Sequence, residues 1–166
     1  MKKCVYTGTF DPPTLGHKGV VDDCLKIFDE VVVGVLCNPA KQSLFTMEDR
    51  LEMLRLTFGD ETRVKVVAHE GTTVELLEKE GTSVYVKGVR NTIDFDYENA
   101  DFFASCKLNP EITAVYIPCR QNLLHVSSSI VRNSLLFGTP IDEYVTKEVK
   151  EYIYREKSKA FWGDKE

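Results

Sequence analysis

Thr7-Gly8-Thr9-Phe10-Asp11-Pro12-Pro13-Thr14-Leu15-Gly16-His17 follows the apolar run Cys4-Val5-Tyr6 and precedes a segment of helical periodicity. A glycine- and proline-rich stretch so placed predicts a strand-to-helix turn, the element with which α/β folds bind phosphates. Gly8 permits a close backbone approach, Asp11-Pro12-Pro13 imposes a rigid non-helical path, and Gly16 clears space directly before His17. The imidazole then arrives in the first turn of a helix, where unpaired N–H groups make a positive field that disfavours its protonation. A neutral histidine so placed can donate a hydrogen bond to a phosphate oxygen. One histidine in a turn would otherwise be only a turn residue, so the rest of the chain has to support the reading.

On either side of this turn strand and helix alternate. Val20, Val21, Cys24, Leu25 and Phe28 share one helical face opposite Lys18, Asp22, Asp23 and Lys26. Val31 to Leu36 is a β-branched run suited to a strand buried on both faces. After a polar loop from Asn38 to Phe45, Thr46 is placed to cap a helix on which Met47, Leu51, Leu54 and Phe58 repeat, ending near Gly59. Arg63 to Ala68 reads as a third strand, Thr73 to Glu80 as a short helix stopped by Gly81, and Ser83 to Lys87 as a fourth strand. A helix from roughly Asp94 to Lys107 ends at Asn109-Pro110, and Thr113 to Ile117 is the fifth strand. Ser127-Ser128-Ser129 opens a helix to about Phe137, and a last helix spans about Asp142 to Glu156, with Val145, Val149, Tyr152 and Ile153 as its apolar stripe. A short polar tail, 157–166, carries Trp162. This alternation predicts an α/β fold: a Rossmann-like doubly wound five-stranded parallel sheet with right-handed crossovers, in a single domain over 1–166.

Composition narrows the function classes. The 166 residues are 43% hydrophobic, enough for one sizeable core. A net charge of −5 argues against general affinity for nucleic acid or anionic membrane, so an anionic substrate has to be met by local cations. The longest uncharged apolar run, Val31 to Cys37, is far below the ~20 residues of a membrane span, and the N-terminus lacks a signal-peptide core. A cytoplasmic protein is expected. Cysteines 4, 24, 37, 106 and 119 show no metal-like spacing and read as reduced, mostly buried small hydrophobes.

In a doubly wound sheet the ligand lies beyond the carboxyl ends of the strands. Thr9 and His17 follow the first strand, Lys41 the second, Lys87 and Arg90 the fourth, and the fifth leads into Ser127 to Ser129. All the candidate phosphate-binding groups therefore fall on one rim, which predicts a cleft there.

At these residues a family resemblance enters. GTFDPPTLGH resembles the T/HxGH signature of the nucleotidylyltransferase superfamily. VKGVRNTIDFDYE, Val86 to Glu98, resembles the IRGLR…DFEYE block of the phosphopantetheine adenylyltransferase family. KQSLFTMEDR, Lys41 to Arg50, resembles that family's second block, and HVSSSIVR, His125 to Arg132, resembles its ISSS block. The resemblance implies transfer of the adenylyl group of ATP to 4′-phosphopantetheine, giving dephospho-coenzyme A and pyrophosphate, with Mg²⁺ as cofactor. It also implies a homohexamer and feedback inhibition by coenzyme A.

Carried onto this chain, the resemblance implies three catalytic residues: His17 as transition-state stabiliser, Lys41 and Arg90. It implies ATP contacts from Thr9, Phe10, His17, Gly88, Val89, Arg90, Glu98, Leu123, Leu124, His125, Val126, Ser127, Ser128 and Ser129. Acceptor contacts fall to Thr9, Lys41, Thr73 and Lys87. The chain departs from the pattern twice, with Lys87 where the family usually has Arg and Thr7 where it usually has Pro. Taken alone, Lys41 would be a solvated loop lysine, Arg90 and Glu98 a surface pair and a helix-face charge, and Asp94, Asp96 and Glu98 charges suited to a helix N-terminus.

Acceptor phosphate is already ionised near neutral pH, its second pKa being about 6, so direct in-line attack needs no general base and no covalent enzyme intermediate. Mg²⁺ would be held through the phosphates, with no protein metal ligands. Two other readings are open: a nicotinate or nicotinamide mononucleotide adenylyltransferase, because GTFDPP and RLEMLRL also resemble that branch, and a non-catalytic nucleotide-binding module on the same fold.

Overall fold

The valine-rich run of residues 31–35 becomes a central strand covered on both faces. The computed structural model describes residues 1–37 and 42–162. Its strands are β1 (Lys3–Gly8), β2 (Glu30–Leu36), β3 (Val64–His69), β4 (Val84–Val89) and β5 (Thr113–Pro118). Its helices are α1 (Leu15–Cys24), α2 (Met47–Phe58), α3 (Thr73–Glu80), α4 (Thr92–Leu108), α5 (Ser128–Phe137) and α6 (Lys147–Trp162), with one 3₁₀ turn at Gln121–Leu123. The strands form one parallel sheet in the order β3-β2-β1-β4-β5, the Rossmann-like doubly wound arrangement expected from the alternation.

Strand periodicity sorts the core into two layers. Cys4 and Tyr6 of β1, with Val31, Val33 and Val35 of β2, pack against Val20, Val21 and Cys24 of α1 and Leu54 of α2. Val5 and Val32 point the other way, onto Val74, Leu76 and Leu77 of α3 and the half-buried Phe102 and Cys106 of α4. A third cluster joins α2, α5 and α6 through Met53, Val131, Leu135, Val149 and Ile153. Each such fully buried side chain stabilises the fold by about 1.5–3 kcal/mol relative to exposure.

The strand order reverses between β1 and β4, which are joined by only the pairs Val5–Tyr85 and Tyr6–Val86. Where that ladder stops, the carboxyl ends of the two strands flank a crevice. Gly88 belongs to this seam: a Cβ there would stand 2.9 Å from Val20 Cγ2, so α1 can lie close over the sheet only because the position is glycine.

Some boundaries differ from expectation. Thr7 and Gly8 belong to β1, because both pair with β2 through Gly34 and Val35. The last helix starts at Lys147 rather than Asp142 and reaches Trp162 rather than about Glu156. Thr146 supplies the cap, its Oγ1 accepting from Val149 N–H at 3.3 Å, while Asp142 is drawn to Lys150 instead. Val145 falls in the preceding turn yet remains buried in the same cluster as Val149. Residues 163–166 of the expected tail lie outside the described residues. The five cysteines are free thiols, and among the described residues no helix is long and apolar enough to cross a membrane.

Candidate active site

The motif turn is clamped at its backbone before any ligand enters. Arg50 Nη1 of α2 donates to the Thr9 carbonyl at 2.9 Å, and Arg132 Nη1 of α5 donates to the Asp11 carbonyl at 2.7 Å. Asp11, 5% exposed, receives the N–H groups of Leu44 and Phe45, each at 2.8 Å. Ser128 Oγ donates to the Pro12 carbonyl at 2.7 Å, tying the start of α5 to the same turn. A buried carboxylate that accepts two backbone N–H groups resists movement, since releasing them would leave donors unsatisfied.

Over this turn lies a cleft of about 350 Å³, large enough for a small-molecule ligand. Its walls come from β1 (Tyr6, Thr7, Gly8), the start of α1 (Thr14, Gly16, His17, Val20), the β4 end from Tyr85 to Arg90, and Val126 to Ser129 with Arg132. Asp94, Glu98 and Cys119 complete it. Of the groups expected on the strand-end rim, His17, Lys87, Arg90 and Ser127 to Ser129 line this cleft.

His17 is the third residue of α1, and Thr14 is the N-cap. Thr14 Oγ1 accepts from His17 N–H at 3.4 Å, and Thr14 N–H donates to His17 Nδ1 at 3.0 Å, so the ring stands where a glutamate completes a capping box. That donation makes Nδ1 the acceptor and leaves the proton on Nε2. Burial, with a smaller contribution from the Arg90 charge, lowers the pKa to about 4. The ring is also braced edge-on by Phe10, with centroids 4.9 Å apart. Near neutral pH His17 is therefore a fixed, uncharged Nε2–H donor.

Arg90, at the end of β4, is forked onto Asp94 through Nε at 2.7 Å and Nη2 at 3.3 Å. Asp94, expected only to favour its helix start, thus also orients a cleft arginine. Lys87 is 2% exposed, and its Nζ donates to Glu98 Oε2 at 2.8 Å and to Asp101 Oδ2. Burial works against the charge, yet Tyr85, Asp101 and Glu98 together hold its pKa above the ordinary lysine value. Arg90 thus forms its ion pair with Asp94, and Glu98 forms one with Lys87.

Ser127 caps α5 as expected, its Oγ accepting from Ile130 N–H at 3.2 Å. The Ser128 hydroxyl is occupied by Pro12, so what this helix start offers an anion is chiefly the N–H groups of Ser128 and Ser129, which have no intrahelical acceptor. Arg132, at the end of the HVSSSIVR block and without a role implied by the resemblance, lines the cleft and donates to Ser129 Oγ at 3.1 Å.

Other expected positions lie outside the lining. Phe10 is buried at 2%, with φ +48°, and acts from behind as the brace of His17. Thr9 is held through its carbonyl. Leu123 packs toward Gly19 of α1, Leu124 is exposed, and the His125 ring lies 6.1 Å from that of Tyr144. Thr73 is buried, with Oγ1 3.3 Å from Thr7 Oγ1, and Thr7 in turn lies 3.1 Å from the Tyr85 hydroxyl. Thr7, the second departure, thus joins two hydroxyls where a proline could not. Lys41 lies outside the described residues.

Comparison with known proteins places these features in context. Residues 5–134 match the cytidylyltransferase-like family model. A phosphopantetheine adenylyltransferase of Clostridium kluyveri is 37% identical over 97% of this chain and 98% of its own length. One from Symbiobacterium thermophilum is 42% identical over 87% of this chain and 90% of its own. Among solved structures, one described as a nicotinate-nucleotide adenylyltransferase from Vibrio parahaemolyticus matches with a TM-score of 0.70 at 24% identity, covering 93% of each chain. That last likeness is one of fold.

Proposed function

The chain belongs to the phosphopantetheine adenylyltransferases, within the cytidylyltransferase-like family, and from that premise we propose how its cleft performs the reaction. It is a nucleotidyltransferase that moves the adenylyl group of ATP onto 4′-phosphopantetheine, giving dephospho-coenzyme A and pyrophosphate. The observation that carries the site reading is the neutral Nε2–H of His17, held in one cleft with Arg90, Arg132, the N–H groups opening α5, and Lys87. The nucleotide phosphates lie against His17, Arg90 and the start of α5, and the acceptor phosphate against Lys87 and Lys41.

An oxygen of the acceptor phosphate attacks the α-phosphorus of ATP. The bond from that phosphorus to the bridging oxygen breaks, and pyrophosphate departs with the electron pair. The attacking oxygen is already deprotonated near neutral pH, so the protein's work is alignment and dispersal of charge. His17 Nε2–H, Arg90 and the Ser128 and Ser129 N–H groups answer that need without moving a proton.

Magnesium fits this donor set as an ion carried by the nucleotide. Both carboxylates lining the cleft are engaged, Asp94 by Arg90 and Glu98 by Lys87, and among the described residues no group of three or more His, Cys, Asp or Glu could hold a metal. When bound, it would screen the phosphates' negative charge. We further propose a cytoplasmic homohexamer inhibited by coenzyme A. Self-association is supported by exposed apolar side chains on α4, including Ile93, Tyr97 and Phe103, and by Phe137 at the end of α5.

A direct test compares acceptors with the purified chain, ATP and Mg²⁺. Pyrophosphate release is expected with 4′-phosphopantetheine at a kcat/KM at least about 10³-fold above that with nicotinate mononucleotide, because the latter has no pantetheine arm to contribute binding. Preference for the mononucleotide would restore the other adenylyltransferase reading, and ATP binding without turnover would leave a nucleotide-binding module.

A further inference from the structure

Glu98 and Asp101 are three residues apart on α4, so they share a helix face, and both reach the Lys87 ammonium. The Tyr85 ring lies beneath that ammonium, 4.3 Å from Nζ. Two carboxylates around one ammonium leave a formal charge of −1 at the place where the proposed function brings the acceptor's phosphate. A phosphate dianion cannot join as a third anion at no cost, because like charges at contact distance repel around the buried Lys87 ammonium.

The two carboxylates are not equivalent. Glu98 lines the cleft and its side chain is 32% exposed, whereas that of Asp101 is 52% exposed and lies outside the lining. Among the described residues, Asp101 meets besides Lys87 just the Tyr85 hydroxyl, at 3.4 Å, and that hydroxyl already has Thr7 Oγ1 at 3.1 Å. Rotating Asp101 toward solvent thus breaks one ion pair but leaves Lys87 its partner Glu98 and the Tyr85 hydroxyl its partner Thr7. Moving Glu98 would instead disturb the cleft wall.

We infer that Asp101 is a placeholder anion on Lys87, a positioning and specificity-determining residue that the acceptor's phosphate displaces. The inference rests on the reading of Lys87 as the acceptor-phosphate grip. By competing for the ammonium, Asp101 disfavours weakly charged acceptors until a dianion takes its place, while Glu98 holds Lys87 at the cleft wall. Pantetheine without its phosphate gains nothing at this position.

Calorimetric titration of the full chain tests this without requiring turnover. Asp101→Asn keeps shape and removes charge, so the Kd for 4′-phosphopantetheine should fall about tenfold, within the usual range of site–site coupling. The Kd for pantetheine and for ATP should stay within about twofold, and Asp101→Glu, which restores the charge, should bind like the native chain. Asp101→Ala, on the same exposed helix face, provides a second charge-removing variant should the amide perturb folding. If wild type binds 4′-phosphopantetheine but neither neutral variant binds it more tightly, Asp101 is not a placeholder and the functional reading stands. Equal shifts for phosphorylated and unphosphorylated ligands would make Asp101 a structural residue only. Failure of wild type to bind 4′-phosphopantetheine at all would overturn both readings.

Discussion

His17→Ala is expected to lower kcat by about 10²–10³-fold, the loss of about 2.7–4 kcal/mol that follows removal of one preorganised donor at developing charge. The Kd for ATP should change much less, because the donor meets most of its charge in the transition state. The structure makes this sharp. The ring is oriented by Thr14 N–H at 3.0 Å and braced by Phe10, so little reorganisation remains at the moment of reaction. With its pKa lowered to about 4, His17 stays neutral between pH 5 and 8 and should contribute no inflection to the rate profile there. Steady-state kinetics and ATP titration on the variant check both points. A variant with near-native kcat would reduce His17 to the residue that completes the cap of α1.

Lys87→Met should abolish useful acceptor binding while leaving the nucleotide side intact, with the KM for 4′-phosphopantetheine raised at least about 10²-fold, an effect of 2–5 kcal/mol being usual when one partner of a buried charge pair is truncated. Methionine roughly preserves the volume of a side chain that is 2% exposed, so the charge is tested apart from the packing. The loss has two sources. The acceptor phosphate would find no ammonium, and Glu98 with Asp101 would face each other without the cation that holds them together. Because those carboxylates are 32% and 52% exposed, the accompanying stability loss should be about 1–2 kcal/mol, well below that for a fully buried pair. Lys87→Arg, which restores the residue usual in the family, should retain activity, since a guanidinium can fork toward carboxylate or phosphate. Equal losses of ATP and acceptor affinity in Lys87→Met would place Lys87 in the scaffold.

Much of this architecture is legible from local pattern because parallel strands buried on both faces have to be apolar throughout, as Val31 to Leu36 is. The helix starts at Thr46 and Ser127 are legible for a similar reason: a hydroxyl before a periodic segment has a donor to satisfy. Boundaries fail where two local signals compete. Thr146 caps α6 although Asp142 offers an equally good cap, and Asp142 pairs instead with Lys150 in the first turn of that helix. Pairings between elements are the hardest to read. Lys87 meets Asp101 because β4 and α4 are packed face to face, and a separation of 14 residues encodes nothing about that. The same holds for Ser128, whose hydroxyl reaches Pro12 across 116 residues and is withdrawn from the role its motif suggests. Phe10 presents a third case: a motif residue whose ring turns inward under His17, so its contribution is to shape rather than to contact.

A single direct transfer on a preorganised rim has a distinct signature in the exchange of labelled pyrophosphate into ATP. Direct attack by the acceptor predicts no exchange when the chain is incubated with ATP, Mg²⁺ and labelled pyrophosphate alone. Exchange should begin once 4′-phosphopantetheine is added and dephospho-coenzyme A forms, since only then can pyrophosphate re-enter by the reverse reaction. Exchange without any acceptor would mean that the adenylyl group rests on the protein in between, and would contradict the account of a cleft that works by alignment and fixed donors alone.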